Sequence, residues 1–158
     1  MKKRTKIVAL LLVVAMAMLA LVSCGGGNVA DSGNAVVVIE NEEGKYTVYE
    51  VDLSSLDSHD EGALSLLKHL SAKEENPLSF SATWGAYGAY ITAIGGIAEN
   101  TSEGKYVSVY TSNEADFDTT AWVKSLEYDG KTFKTSGVGV SQMKIEDGTA
   151  VLFRLEGY

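Results

Sequence analysis

The sequence predicts an α+β domain with two N-terminal strands, one helix and then a mostly antiparallel set of strands. Three observations favour this fold class: a β-branched segment and an alternating one flank a turn near residue 41, a single stretch has apolar residues at helical spacing, and the chain after Pro77 reads as strands and turns. With 158 residues and one cysteine, the chain has room for one such domain and cannot form an intrachain disulfide.

The first two strands are predicted as a hairpin. A β-branched run at 35–40 leads into an Asn-Glu-Glu-Gly turn at 41–44, and residues 45–53 then alternate between apolar and polar side chains. Alternation with a period of two places the apolar side chains on one face of a strand, so this segment is expected to pair with the first.

One amphipathic helix is predicted after the hairpin. Ser58 and Glu61 have the spacing of a helix capping box, and apolar residues then recur three and four positions apart from Ala63 to Leu70. A helix of about 12 residues is expected, ending before Pro77 because proline cannot continue it.

The remaining strands are predicted from alternation and from turn chemistry. Alternating segments lie at 78–84, 90–94, 106–110 and 150–155. Asp129 and Gly130 suit a type I′ turn between two further strands, because both residues tolerate a positive φ. These elements complete one domain at residues 35–158.

The N-terminus has the layout of a secretory signal. All four charges in the first six residues are positive, and 16 apolar residues follow at 7–22. The sequence Leu-Val-Ser-Cys at 21–24 resembles the lipobox of bacterial lipoproteins. The resemblance implies removal of a signal peptide, residues 1–23, and attachment of fatty acyl chains to Cys24, which would anchor the protein to the extracellular face of the cell membrane. The alternatives are a plain secretory signal and an uncleaved N-terminal helix.

Composition and charge change once this segment is set aside. Residues 24–34, rich in Gly, Ser and Asn, are predicted as the lipidated cysteine and a flexible tether. Of 13 Lys and Arg residues, the nine outside the first six positions face 21 Asp and Glu, so residues 24–158 carry a net charge of −12. Such an acidic surface argues against nucleic acid as a partner, because phosphate binding needs clustered cations.

The order of motifs from residue 60 onward resembles the bacterial DUF4430 family, which is similar to the C-terminal β domain of transcobalamin and intrinsic factor. The shared motifs are a leucine-rich helix at 63–70, Gly-Ala-Tyr-Ile-Thr-Ala-Ile-Gly at 88–95, Gly-Val-Gly-Val-Ser at 137–141 and Ile-Glu-Asp-Gly at 145–148. The resemblance implies a β-grasp-like fold and a non-catalytic domain that binds cobalamin-type corrinoids.

Aromatic residues are the candidate ligand-binding groups. Trp84, Tyr87 and Tyr90 lie in a glycine-rich segment at 84–90, and with Trp122 they would form an apolar platform for a planar ligand if they are exposed together. Glycine in such a segment lets a backbone approach a ligand closely. The alternative is that these rings are ordinary core and cross-strand residues of a β-rich domain.

No residue pattern indicates catalysis or a metal site. The chain has neither a nucleophile elbow nor histidines at metal-binding spacing. Asp116, Asp118, Thr120 and Glu127 match part of a calcium-loop template, but Ala121 stands where glycine is needed. The acidic segment 113–118 is therefore interpreted as a solvated loop, with a weak cation site as the alternative.

These observations together predict a membrane-anchored extracellular lipoprotein that is not an enzyme, with no cofactor other than a corrinoid as ligand. The competing hypothesis is a structural or adhesion module that binds a surface protein or polysaccharide through a sheet edge.

Overall fold

A computed structural model describes residues 28–157. The predicted signal peptide, Cys24 and the first part of the predicted tether lie outside the described residues. The elements follow the predicted order of a hairpin, a helix and further strands, which confirms an α+β fold. The nine strands are β1 (Asn34–Glu40), β2 (Tyr46–Asp52), β3 (Phe80–Gly85), β4 (Gly88–Ile94), β5 (Ile97–Ala98), β6 (Lys105–Thr111), β7 (Ser125–Tyr128), β8 (Lys131–Thr135) and β9 (Ala150–Gly157). The α-helix, α1, covers Ala63–Ser71.

The strands form two sheets. The larger has six strands in the order β2-β1-β9-β6-β8-β7, and the smaller has three in the order β3-β4-β5. Within these two sheets the strand pairs are antiparallel, with the exception of β1 and β9, which are parallel. The first and last strands of the domain therefore lie side by side in the middle of the large sheet.

The main hydrophobic core lies between the large sheet, α1 and the small sheet. Val37 and Phe153 project from the large sheet, Leu67 from α1 and Ile91 from β4, and all four are fully buried. Burial of this much apolar surface is the principal source of stability for a domain of this size.

A second, smaller core covers the opposite face of the large sheet. It is built around Val38, Tyr110, Phe133 and Leu152. The sheet curls over this core, because the rings of Tyr46 on edge strand β2 and Tyr128 on edge strand β7 approach to 4.3 Å between centroids. The curling brings the two outer strands of the sheet together over their common core.

The helix begins later than predicted, and without the predicted cap. Gly62 precedes it with a φ of 52°, and no side chain caps the helix. A Cβ at this position would lie 2.5 Å from the carbonyl oxygen of Met143. The close approach of the segment after β8 therefore determines where the helix starts, and Ser58 and Glu61 do not form the capping box.

The part of the predicted tether that the structure describes is bound to the domain. Val29 is buried, its N–H donates to the carbonyl of His59 at 3.0 Å, and it bridges to Ile145 in parallel. Asn34 is already the first residue of β1. The segment packs against the domain because the side chain of Val29 is apolar and because the segment's backbone forms hydrogen bonds with His59 and Ile145. Its composition is nevertheless typical of a linker.

The Asp129–Gly130 turn was predicted correctly. Both residues have positive φ angles, 50° and 72°, and they connect β7 to β8. This is the geometry that a type I′ hairpin requires.

Candidate functional site

The candidate site is a groove of about 570 Å³ beside the large sheet. Its shape follows from the register of β6. Strand β8 pairs with β6 only at Tyr110 and Thr111, after which the chain crosses to the small sheet. There Gly139 donates its N–H to the carbonyl of Tyr87 at 2.7 Å, and Val140 donates to Ala89 at 3.0 Å. The divergence opens a gap along β6, and this gap is the groove.

One wall of the groove is the turn between β3 and β4, which carries Tyr87. Two glycines allow it to lie close to the neighbouring chain. A Cβ on Gly139 would be 2.3 Å from the carbonyl oxygen of Tyr87, and a Cβ on Gly88 would be 2.5 Å from the hydroxyl of Ser141. That hydroxyl accepts a hydrogen bond from the N–H of Ala89 at 2.9 Å. The turn is therefore held by main-chain and buried contacts while its tyrosine remains free to contact a ligand.

A second part of the groove lining is the loop that carries Trp122. At its start, Asp118 accepts hydrogen bonds from the N–H and the hydroxyl of Thr120, at 2.8 and 2.9 Å. At its end, the N–H of Lys124 donates to the hydroxyl of Thr135 at 3.2 Å, and the N–H of Thr135 donates to the carbonyl of Lys124 at 3.0 Å. The ammonium group of Lys124 forms an ion pair with Glu156 at 2.8 Å. Both ends of the loop are thus fixed to the domain on either side of Trp122.

Glu156 is the buried end of this attachment. Its carboxylate also accepts hydrogen bonds from Tyr110 at 2.7 Å and Ser108 at 3.0 Å, and Arg154 lies 3.6 Å away. Burial alone would raise the pKa of Glu156, but the hydrogen bonds from Lys124, Tyr110 and Ser108 outweigh it and hold the pKa below its ordinary value. Glu156 therefore remains an anion at neutral pH.

The structure brings three of the four predicted aromatic residues together. Tyr87, Tyr90 and Trp122 line the groove, and they are 76%, 39% and 86% exposed. Trp84 is also exposed, at 67%, but it does not line the groove. The exposures rule out a place in the core for all four rings, whereas Trp84 and Tyr90 do lie on paired strands, β3 and β4.

Sequence reasoning missed Tyr106 and Asp118 as groove residues. Tyr106 shares a face of β6 with Tyr110, but only Tyr110 is fully buried, because Tyr106 lies where β8 has left the sheet. The alternation of residues along β6 predicted that Tyr106 and Tyr110 share a face. It gave no signal that β8 leaves β6 and opens the groove beside Tyr106. Asp118 had been considered only as part of the acidic loop.

The acidic loop has a structural explanation. Asp116 is buried, and its carboxylate accepts the N–H of Lys144 at 2.6 Å. Asp118 is bonded to Thr120, as described above. Within residues 28–157, no group of three or more His, Cys, Asp and Glu side chains is arranged to hold a metal ion. Over the same range, no helix is long and apolar enough to cross a membrane.

The fold and the groove define a β-rich domain with a preformed apolar cleft, and solved structures similar to it include the following two. A protein from Ruminococcus gnavus ATCC 29149, to which metal binding is provisionally ascribed, matches 80% of this chain over 98% of its own length, with 14% identity and a TM-score of 0.52. Haptocorrin in complex with Cbi matches 80% of this chain with 15% identity and a TM-score of 0.51.

The match to haptocorrin spans only 26% of the haptocorrin chain. At these identities the similarity establishes the fold, which is transcobalamin-like. No protein-family model and no curated protein matches the sequence, so the DUF4430 resemblance stays a prediction.

Proposed function

We propose that this protein is a non-catalytic, membrane-anchored extracellular lipoprotein whose domain binds a cobalamin-type corrinoid in the groove between Tyr87 and Trp122. The observation that carries the proposal is the exposure of these aromatic rings along a single preformed cleft of about 570 Å³. Several exposed aromatic rings along one cleft are unusual in a domain that only needs a core.

The chemistry of the groove suits a large, flat, largely apolar ligand. Ligand sites in proteins commonly have volumes of about 300–1,000 Å³ and combine aromatic walls with a few polar groups. Here the polar groups include Thr135, whose hydroxyl accepts the N–H of Lys124 and can donate a hydrogen bond to an amide group at the edge of a corrin ring. The hydroxyls of Ser108 and Ser136 also line the groove, but they already donate to Glu156 and to the carbonyl of Val138. The rings of Tyr87 and Trp122 would contact the face of the macrocycle.

The fold supports the same ligand class. Haptocorrin, solved in complex with Cbi, has a region of the same fold. We also propose that the domain is a β-grasp variant, since its N-terminal hairpin is followed by a helix and its last strand lies parallel to its first. Because the match covers a quarter of haptocorrin, we expect this domain alone to bind a corrinoid from one side, with an affinity of about micromolar.

A titration of the purified full-length chain with cobinamide and with cobalamin, followed by calorimetry and by absorbance, tests the ligand. We expect heat and a spectral change at tens of micromolar, and loss of both in the double variant Tyr87→Ser/Trp122→Ser. The matched control is Val48→Ser/Glu50→Ser, which alters two exposed side chains of edge strand β2 and leaves the contact between Tyr46 and Tyr128 in place. No binding by the unaltered chain would exclude corrinoids as the ligand.

An adhesion module is the second hypothesis, and edge strand β2 favours it. Tyr46 and Val48 are 40% and 47% exposed on a strand that has a partner on one side only within the described residues. Such an edge offers unpaired backbone groups to another chain. The β2 double variant separates the hypotheses, because it should abolish adhesion and leave corrinoid binding unchanged.

The anchor is proposed from the sequence motif alone, since Cys24 lies outside the described residues. We expect the unaltered chain to be found in the membrane fraction and to carry acyl chains on Cys24. The variant Cys24→Ala should be uncleaved or released, because the acyl chains that hold the protein at the bilayer are absent. Immunoblotting of membrane and soluble fractions measures this, and an unchanged distribution with unchanged mass would contradict it.

A further inference from the structure

The electrostatic character of the groove narrows the class of ligand it would accept. Of the residues that line the groove in the described part of the chain, Asp118 alone has a formal charge. Its two oxygens accept hydrogen bonds from Thr120 within the same loop, and these neutral donors leave the negative charge uncompensated.

A second carboxylate acts on the groove through Tyr90. The hydroxyl of Tyr90 donates a hydrogen bond to Glu99, while the ring lines the groove. Donation to an anion increases the electron density of the phenol ring, and an electron-rich ring face attracts cations. Two of the groove's elements, the loop of Asp118 and strand β4, therefore favour positive charge.

Two cations next to groove-lining residues are held in ion pairs. Lys124, two residues after Trp122, is bound to Glu156 at 2.8 Å, and Lys105, next to Tyr106, is bound to Glu103 at 3.1 Å. These ion pairs leave little positive potential for an anionic ligand. The net charge of −12 over residues 24–158 adds a negative electrostatic potential, which also disfavours an anionic ligand.

We infer that the groove selects cationic or neutral ligands without a phosphate group, and that Asp118 is a specificity-determining residue. Resting on the proposed function, this assigns the ligand to phosphate-free corrinoids of the cobinamide type. Corrinoids that carry a phosphate on the side chain of the ring are disfavoured, because the phosphate adds one to two negative charges near an unneutralised carboxylate.

The experiment compares cobinamide with cobinamide phosphate, which differ in the phosphate alone when both have the same axial ligands. The full-length chain is titrated with each by calorimetry. We expect cobinamide to bind about tenfold more tightly, as one or two unit-charge repulsions with Asp118, together with the net negative charge of the domain, would produce across a solvated groove. Raising the salt concentration from about 0.05 to 0.5 M should reduce the ratio of the two affinities, cobinamide over cobinamide phosphate, since exposed charges are screened.

The variant Asp118→Asn tests the residue. Asparagine retains an oxygen that accepts the N–H of Thr120, so the loop is preserved while the charge is removed. We expect the affinity ratio to fall about threefold. The matched control Glu50→Gln removes a charge from exposed edge strand β2 and should leave the ratio unchanged.

The outcomes separate the two proposals. If neither corrinoid binds, the proposed function is wrong and this inference is wrong with it. If both corrinoids bind with equal affinity, corrinoid binding stands and the selection against phosphate is overturned. If the ratio exists but does not change in Asp118→Asn, the role of Asp118 is overturned, and the circular-dichroism spectrum of the variant confirms that its fold is intact.

Discussion

Two groups of aromatic side chains, one in the cores of the large sheet and one on the turn and loop beside the groove, have opposite environments. Tyr110, Phe133 and Phe153 are at most 2% exposed, whereas Tyr87 and Trp122 are more than 75% exposed. The first three occupy alternate positions on paired strands, and the latter two lie on a turn and a loop whose backbones are fixed by hydrogen bonds. The same residue types therefore stabilise the fold in one region and are available for binding in the other.

The largest expected effect on stability comes from a substitution among the buried aromatic side chains of the large sheet. The variant Phe153→Ala removes a fully buried ring from β9 at the centre of the large sheet. We expect it to lower the free energy of unfolding by about 3–5 kcal/mol, through lost burial and the cavity that remains. Urea denaturation monitored by circular dichroism measures this. A loss below about 1 kcal/mol would show that the two aromatic groups do not differ in their contribution to stability.

The second-largest effect on stability is expected at the contact between the large sheet and the loop that carries Trp122. Glu156 lies on the sheet and holds Lys124 of the Trp122 loop, and its side chain is 11% exposed. We expect Glu156→Gln to lower the free energy of unfolding by about 2 kcal/mol at pH 7, because the charged hydrogen bonds weaken. Trp122 should also become more mobile, which is measured by acrylamide quenching of its fluorescence in a Trp84→Phe background.

The difference in unfolding free energy between the unaltered chain and Glu156→Gln should depend on pH. A carboxyl whose pKa is lowered by folding stabilises the native state above its unfolded pKa, near 4.5, and loses that contribution as the pH falls through the folded value. The gap between the unaltered chain and Glu156→Gln should therefore be constant near neutrality and shrink below about pH 4.5. Asp116, whose pKa is raised mainly by burial, is present in both proteins and cancels in the difference. A gap that grows at acid pH would contradict the ion-pair assignment.

The third effect is on binding and not on stability. The side chain of Trp122 is 86% exposed, so Trp122→Ala should change the free energy of unfolding by less than about 0.5 kcal/mol. Its loss from the groove wall should weaken cobinamide binding about tenfold, as expected for one aromatic contact. Calorimetry and urea denaturation of the same preparation measure both quantities.

The smallest effect is expected for Trp84→Ala, which is the matched control for Trp122. Trp84 is also exposed, but it lies outside the groove. Both stability and cobinamide affinity should be close to those of the unaltered chain. Equal losses of affinity in the two variants would show that exposure alone, and not a place in the groove, accounts for the result.

Local patterns determined most of the secondary structure. The hairpin of β1 and β2, the turn at Asp129 and Gly130, and the apolar stripe of α1 were all predicted, because alternation, turn chemistry and helical spacing are short-range properties. The cap of the helix was not, since Gly62 adopts its positive φ against the distant carbonyl of Met143. Val29 was assigned to a tether for the same reason, as its partners His59 and Ile145 are far along the chain.

For the candidate site, the sequence by itself determined which aromatic residues accompany the glycine-rich segment at 84–90, and that the domain is acidic. Only the tertiary structure decided that Tyr87, Tyr90 and Trp122 share one groove with Asp118, and that Trp84 lies outside it. The physical reason is the register of β6: the chain leaves β8 after two paired residues and crosses to the small sheet. That crossing is set by hydrogen bonds between residues about 50 positions apart, which no local pattern encodes.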